Sequence, residues 1–87
     1  MKVQYYLDIL KPHQPGLDLL ARTLMDINGV QGIRIKVDEL DQKTASLHMN
    51  ITGINLSLEE ITEVLASMNC ALHSVDEVVC EATEKID

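Results

Sequence analysis

The residues able to ligate a metal or move a proton are few and scattered along the chain. They are His13, His48 and His73, Cys70 and Cys80, and two acidic groups, Asp8 with Asp76 and Glu77, and Asp38 with Glu39 and Asp41. A carboxylate–imidazole cluster suits a divalent cation, Ca²⁺ or Mg²⁺ where oxygen donors dominate, or a polar ligand. On that chemistry Asp8, Asp76 and Glu77 are the candidate metal ligands. Asp8, Lys11, His13, Gly16, His73 and Ser74 are the candidate ligand-binding residues, and no catalytic residue is assigned. The ordinary alternative is a set of surface histidines beside a solvated acidic strand end. The Asp38–Asp41 group lacks the twelve-residue spacing of an EF-hand and reads as a solvated turn with, at most, weak cation binding. No Ser–His–Asp or Cys–His arrangement is suggested by position. Cys70 and His73 are close in sequence, but nothing marks an activated thiol.

The elements that must carry these residues follow from the hydrophobic period. Residues 2–10 alternate, with Val3, Tyr5, Leu7 and Ile9 on one face and Gln4, Tyr6, Asp8 and Leu10 on the other, which predicts a strand. Lys11 to Gly16, with two prolines, reads as a loop. Leu17, Leu20, Ala21, Leu24 and Ile27 then follow helical spacing, and Asn28-Gly29 supplies a left-handed stop. Val30–Leu40 alternates again, a polar turn spans Asp41-Gln42-Lys43, and Leu47, Met49 and Ile51 point inward on the returning strand. Ser57-Leu58-Glu59-Glu60 is a capping box that opens a second helix, with Leu58, Ile61, Val64, Leu65 and Met68 as its apolar stripe and Asn69 at its end. Residues 71–80 form a fourth strand whose facing the alternation leaves open, and residues 81–87 a polar tail.

This order predicts one α+β domain over residues 1–80: a ferredoxin-like βαββαβ sandwich, with a four-stranded antiparallel sheet and both helices on one face. The other face should then carry Tyr6, Leu10, Arg34, Lys36, His48, Asn50 and Thr52. Such a face is either solvated or covered by a partner, and a small domain gains stability by the second route. A homo-oligomer is the expectation.

Composition narrows the function. The chain has 87 residues, 46% of them hydrophobic, and a net charge of −7 from 7 Lys+Arg and 14 Asp+Glu, with neither Trp nor Phe. An acidic surface repels phosphate backbones and two tyrosines cannot stack a run of bases, so nucleic acid is not an expected partner. The N-terminus has no signal-peptide pattern and no segment approaches the length of a membrane span, which makes a cytoplasmic protein with two reduced, mostly buried thiols the expectation.

Three shorter motifs bear on function within this fold. A heavy-metal chaperone would need C-x-x-C in the first strand–helix loop, and Lys11–Gly16 holds no cysteine. Val30-Gln31-Gly32-Ile33 matches part of the acylphosphatase anion loop, but it follows the first helix instead of preceding it, and Lys36 stands at the arginine position. Pro15-Gly16-Leu17-x-x-Leu20 resembles the opening of ACT regulatory domains, which bind an amino acid between a glycine loop and a helix N-terminus. An ACT-like sensor of an amino acid or similar metabolite is therefore the alternative function.

Two longer segments are more specific. Leu7-Asp8-Ile9-Leu10-Lys11-Pro12-His13-Gln14-Pro15 and His73-Ser74-Val75-Asp76-Glu77-Val78-Val79 resemble the signature segments of a small archaeal group, domain-of-unknown-function family 211. The Gly29-Val30-x-Gly32-Ile33 stretch and the acidic start of the second helix fit as well, and the resemblance covers about residues 2–80. It implies a ferredoxin-like fold and ring-shaped homo-oligomers, without an assigned activity. Asp8, Lys11, His13, His73, Ser74, Asp76 and Glu77 match motif positions, whereas Gly16 replaces the more usual serine and Cys70 a glycine. The expected function is that of a non-enzymatic, oligomer-forming protein that binds a divalent cation or small ligand.

Overall fold

A computed structural model describes residues 1–83. The elements run β1 (Lys2–Pro12), α1 (Leu17–Met25), β2 (Val30–Leu40), β3 (Thr44–Ile54), α2 (Leu58–Ser67) and β4 (Ala71–Glu81). All pairings are antiparallel and the sheet order is β2-β3-β1-β4, the ferredoxin-like arrangement. The strand expected to end at residue 80 continues through Glu81, and the last four residues of the polar tail, 84–87, lie outside the described part.

The alternating residues bury as the period of two requires. Val3, Leu7, Ile9, Ala45, Leu47, Met49 and Ile51 are buried on the helix side, against Leu20, Leu24, Ile61 and Leu65 from the two helices. Each strand has eleven residues and the helices nine and ten. Such strands reach about 36 Å while the helices reach only about 15 Å. Two short helices therefore cover only part of the sheet's length and leave the rest of the strands bare on that side. Val37 and Leu40 on β2, and Val75 and Val78 on β4, are exposed apolar residues for that reason.

Local chemistry fixes the turns. Gly29 takes a positive φ of 94° and Asn69 one of 64°, so both helix exits use the left-handed residue at the expected place. With Asn69 in that role, Cys70 needs no special backbone and its side chain is buried. Ser57 Oγ accepts from the Glu60 amide at 3.2 Å, which is half of the capping box. The reciprocal bond from the Ser57 amide to the Glu60 carboxylate is not made among the described residues. Gly16 caps α1 without any side-chain bond.

Two expectations change. Lys11 is not a loop residue: it is the last inward-facing position of β1, only 5% exposed. The thiols also differ from each other, since Cys70 is buried and Cys80 exposed at the sheet edge. No described helix is long and apolar enough to cross a membrane.

Candidate functional site

The helix-free face of the sheet is built in rows, because every register step places four side chains side by side. Arg34 pairs with Asn50, Asn50 with Tyr6, and Tyr6 with Glu77, which makes one row across all four strands. The next row reads Lys36, His48, Asp8 and Ser74. Strands lie about 4.8 Å apart, so the cations on β2 and the acids on β4 stand roughly 14 Å apart at the backbone. A cavity of about 350 Å³ lies between them, lined by Tyr6, Arg34, Lys36, His48, Asn50 and the Asp76–Glu77 pair, among others.

Asp76 and Glu77 reach the same face because β4 is irregular. Its register against β1 slips between Tyr6 and Leu7 and again between Asp8 and Ile9. Each slip is a β-bulge, in which two residues of one strand oppose a single residue of the other. One bulge brings Asp76 beside Glu77, and the other brings His73 beside Ser74. A regular strand would have sent one member of each pair to the helix side. β2 has its own slip between Val37 and Glu39, which places Asp38 near His48, with carboxylate Oδ2 and imidazole Nε2 at 3.5 Å.

A second cavity of about 390 Å³ continues along the same face, lined by Asp8, Leu10, Asp38, Glu39, Ser46 and His73 with the Ile9 backbone side. Asp8 and His73 are thus brought together, as the sequence suggests. Asp76 and Glu77 are not brought to Asp8; they line the other cavity, beside Tyr6. The expected metal triad of Asp8, Asp76 and Glu77 is split by that register, and among the described residues no three His, Cys, Asp or Glu are grouped closely enough to hold a metal ion. Ser74 donates to Asp76 Oδ1 at 2.7 Å and orients that carboxylate.

The remaining candidates sit elsewhere. His13 lies at the hairpin end, its Nε2 3.1 Å from the Asp41 carbonyl oxygen, apart from Asp8 and His73. Lys11 points to the helix side, where its ammonium donates to the carbonyls of Pro12 at 2.7 Å, His13 at 3.2 Å and Pro15 at 2.6 Å. There it clasps the β1–α1 loop and is buried. Its charge also partly opposes the effect of burial on Cys70, which pushes that thiol above its ordinary value of 9.0. Gly16 has open space around it, so its lack of a side chain is not demanded by close packing.

Arg34, Lys36 and Glu77 have no ion-pair partner among the described residues, and the two ion pairs present are Arg22–Asp18 on α1 and His48–Asp38. Among the described residues no serine, threonine or cysteine is hydrogen-bonded to a histidine. Arg34, Lys36, His48 and Asn50 were legible as outward residues, but the row that joins them to Asp76 and Glu77 depends on the bulges.

Comparison with known proteins gives the family. A family model, DUF211 (uncharacterized ArCR), matches residues 4–86. The chain belongs to DUF211. A relative from Methanocaldococcus jannaschii, "Uncharacterized protein MJ0319", is 41% identical over 73 residues, which are 84% of this chain and 75% of the relative. Membership in DUF211 fits the archaeal resemblance of the two signature segments, and the described fold fits the α+β expectation. DUF211 is named as uncharacterized, so activity has to be argued from the residues themselves.

Proposed function

We propose that this protein is a non-enzymatic, self-associating domain that acts by binding, with the helix-free sheet face as its working surface. One observation carries the reading. Charges of both signs line a single cavity on that face, and three of the four lack a partner within the described residues. Unpaired exposed charges set in complementary groups serve recognition, whereas catalysis would call for an activated nucleophile or a perturbed acid–base pair. The test is the mass in solution at micromolar concentration by sedimentation velocity. A multiple of the 9.7 kDa chain is expected, and a monomer throughout would sink the reading.

A small-ligand role on the same face is favoured by the second cavity, with Asp8, Asp38, Glu39 and His73 around it. A thermal-shift panel of Ca²⁺, Mg²⁺ and free amino acids tests it. Stabilisation by a cation that disappears in Asp8→Asn supports this reading, and no shift with any of them removes it. The amino-acid-sensor alternative at Lys11–Leu17 draws less support, since Lys11 already donates to three loop carbonyls.

A further inference from the structure

We infer that the cavity of about 350 Å³ on the helix-free face takes a short peptide with free termini, its carboxylate on Arg34 and Lys36 and its ammonium on Asp76 and Glu77. The inference rests on the reading above that this face acts by binding, and adds the ligand and its orientation. Arg34 and Lys36 form one wall of this cavity from β2, and Asp76 and Glu77 form the other from β4. His48, Asn50 and Tyr6 lie between them on the two central strands. Asp38 and Glu39 share β2 and the same face, but they sit at the slip that follows Val37 and line the second cavity, with Asp8 and His73. Asp38 is also engaged by His48 at 3.5 Å. The basic and acidic walls thus belong to the first cavity, not to the face as a whole.

The two walls are too far apart to satisfy each other, and Arg34, Lys36 and Glu77 have no ion-pair partner among the described residues. A ligand of one sign meets one attractive wall and one repulsive wall. Asp76 and Glu77 oppose a phosphate or a dicarboxylate, and Arg34 and Lys36 oppose a polyamine. A bare divalent cation finds too few donors, since no three His, Cys, Asp or Glu among the described residues are grouped to hold one. A molecule with one charge of each sign at its two ends is attracted at both. The spacing selects its length. Roughly 14 Å between the strands, less a charge-assisted hydrogen bond of about 2.8 Å at each end, leaves about 8 Å between the ligand's charges. Side chains stand nearly perpendicular to a sheet, so the backbone spacing carries over to the charged groups. An extended chain spans about 3.5 Å per residue, so two residues reach about 7 Å and a single amino acid half of that.

The middle of the cavity suits a peptide unit. Asn50 Nδ2 donates to the Tyr5 carbonyl at 3.3 Å, which fixes the side-chain amide and leaves Oδ1 to accept the ligand's peptide N–H. Tyr6 stands next to Asn50 in the same row and supplies an aromatic surface for the ligand's aliphatic carbons. At the acidic wall, Ser74 donates to Asp76 Oδ1 at 2.7 Å, so that carboxylate is already oriented and Oδ2 is left for the ammonium. A volume of about 350 Å³ falls at the small end of ligand sites, which run from about 300 to 1,000 Å³.

The test is saturation-transfer NMR on the full chain with dialanine, read at the ligand's own methyl signals. A saturable signal is expected. Acetylating the amino end, amidating the carboxyl end, or replacing the peptide by alanine should each weaken binding by about tenfold or more. Arg34→Gln/Lys36→Gln should weaken dialanine to a similar degree and make C-terminal amidation indifferent. Asp76→Asn/Glu77→Gln should do the same for N-terminal acetylation. All four positions are exposed, and circular dichroism verifies that each variant keeps its fold. No saturable signal from dialanine with the wild type overturns the inference. So does equal binding of alanine or of the blocked peptides, or unchanged binding in both double variants. Sedimentation velocity on the same samples keeps the two readings apart. A multimer that ignores dialanine overturns the peptide site alone, and a monomer that binds it overturns self-association alone.

Discussion

Replacing Lys11 with methionine tests the clasp at the β1–α1 loop directly. The methionine keeps most of the aliphatic stem that the core surrounds, and removes the ammonium. Two of the three bonds it makes are short, 2.7 Å to the Pro12 carbonyl and 2.6 Å to that of Pro15. The third, 3.2 Å, goes to His13, which is exposed. Hydrogen bonds from a charged donor contribute about 1.5–3 kcal/mol each, so the short pair sets a scale of roughly 3 kcal/mol. Water reaching the half-exposed carbonyls, and the relief of no longer burying an ammonium, offset about a third of this. The net expectation is a loss of about 2 kcal/mol. Urea denaturation followed by circular dichroism measures it, with both proteins at one concentration. With a slope near 1 kcal/mol/M for a chain of this size, the midpoint should fall by about 2 M. Amide exchange between residues 12 and 20 should quicken in parallel, since the loop presents α1 to the sheet and Gly16 supplies the carbonyl for the Leu20 amide. A loss under about 0.5 kcal/mol would refute the claim that the ammonium holds the loop.

Two further outcomes are expected. Gly53→Ala should cost more than about 3 kcal/mol or prevent folding, because its β-carbon would overlap the Gly29 carbonyl and sit 2.9 Å from Val30 Cα, both parts of the backbone. Gly32→Ala is the control: it meets only the Thr52 Cγ2 methyl at 3.3 Å, and thermal melts should show a change under about 1 kcal/mol. The second outcome concerns alkali. The folded Cys70 thiol holds its proton above the ordinary value of 9.0, so its contribution is complete below that value and declines as the pH rises from there toward the folded value. The stability of the wild type should therefore fall more steeply than that of Cys70→Ala above about pH 9, and identical pH profiles would remove the claim.

Most of the fold was legible because β1, β3 and α2 each show one clean period and β2 keeps one between its two slips. Leu47, Met49 and Ile51 are almost wholly buried where the alternation puts them, and the Ser57 cap is where the motif puts it. Lys11 was misplaced for a physical reason. A lysine beside two prolines reads as loop, and only the tertiary structure supplies three carbonyls that make its burial tolerable. The site was half legible. Arg34, Lys36, His48 and Asn50 were readable as outward residues, but the opposing acids were assigned to Asp8's neighbourhood, because simple register counting cannot see a bulge. His13, placed in the same cluster by its position at the strand end, lies instead against the hairpin at Asp41.

The bulges on β4 bear on which surface of the sheet is open to a partner. Two open edge strands of eleven residues are in general an invitation to edge-to-edge pairing, and β4 exposes Val75 and Val78 along its length. Yet two register slips within one strand break the ladder that an incoming strand would have to extend, and each adds local twist. The same slips move Asp76 and His73 onto the helix-free face, next to Glu77 and Ser74. A single device thus weakens the edge as a docking surface and supplies the face with the charges it would need. A chain carrying seven excess negative charges also repels acidic partners at long range, so binding needs a surface where basic groups locally match acidic ones. Arg34 and Lys36 lie opposite the bulged acids on that face, whereas the first turn of α2 offers Glu59 and Glu60 without a basic residue in its last turn. The β4 bulges therefore both interrupt that edge and set Asp76 and Glu77 across the face from Arg34 and Lys36.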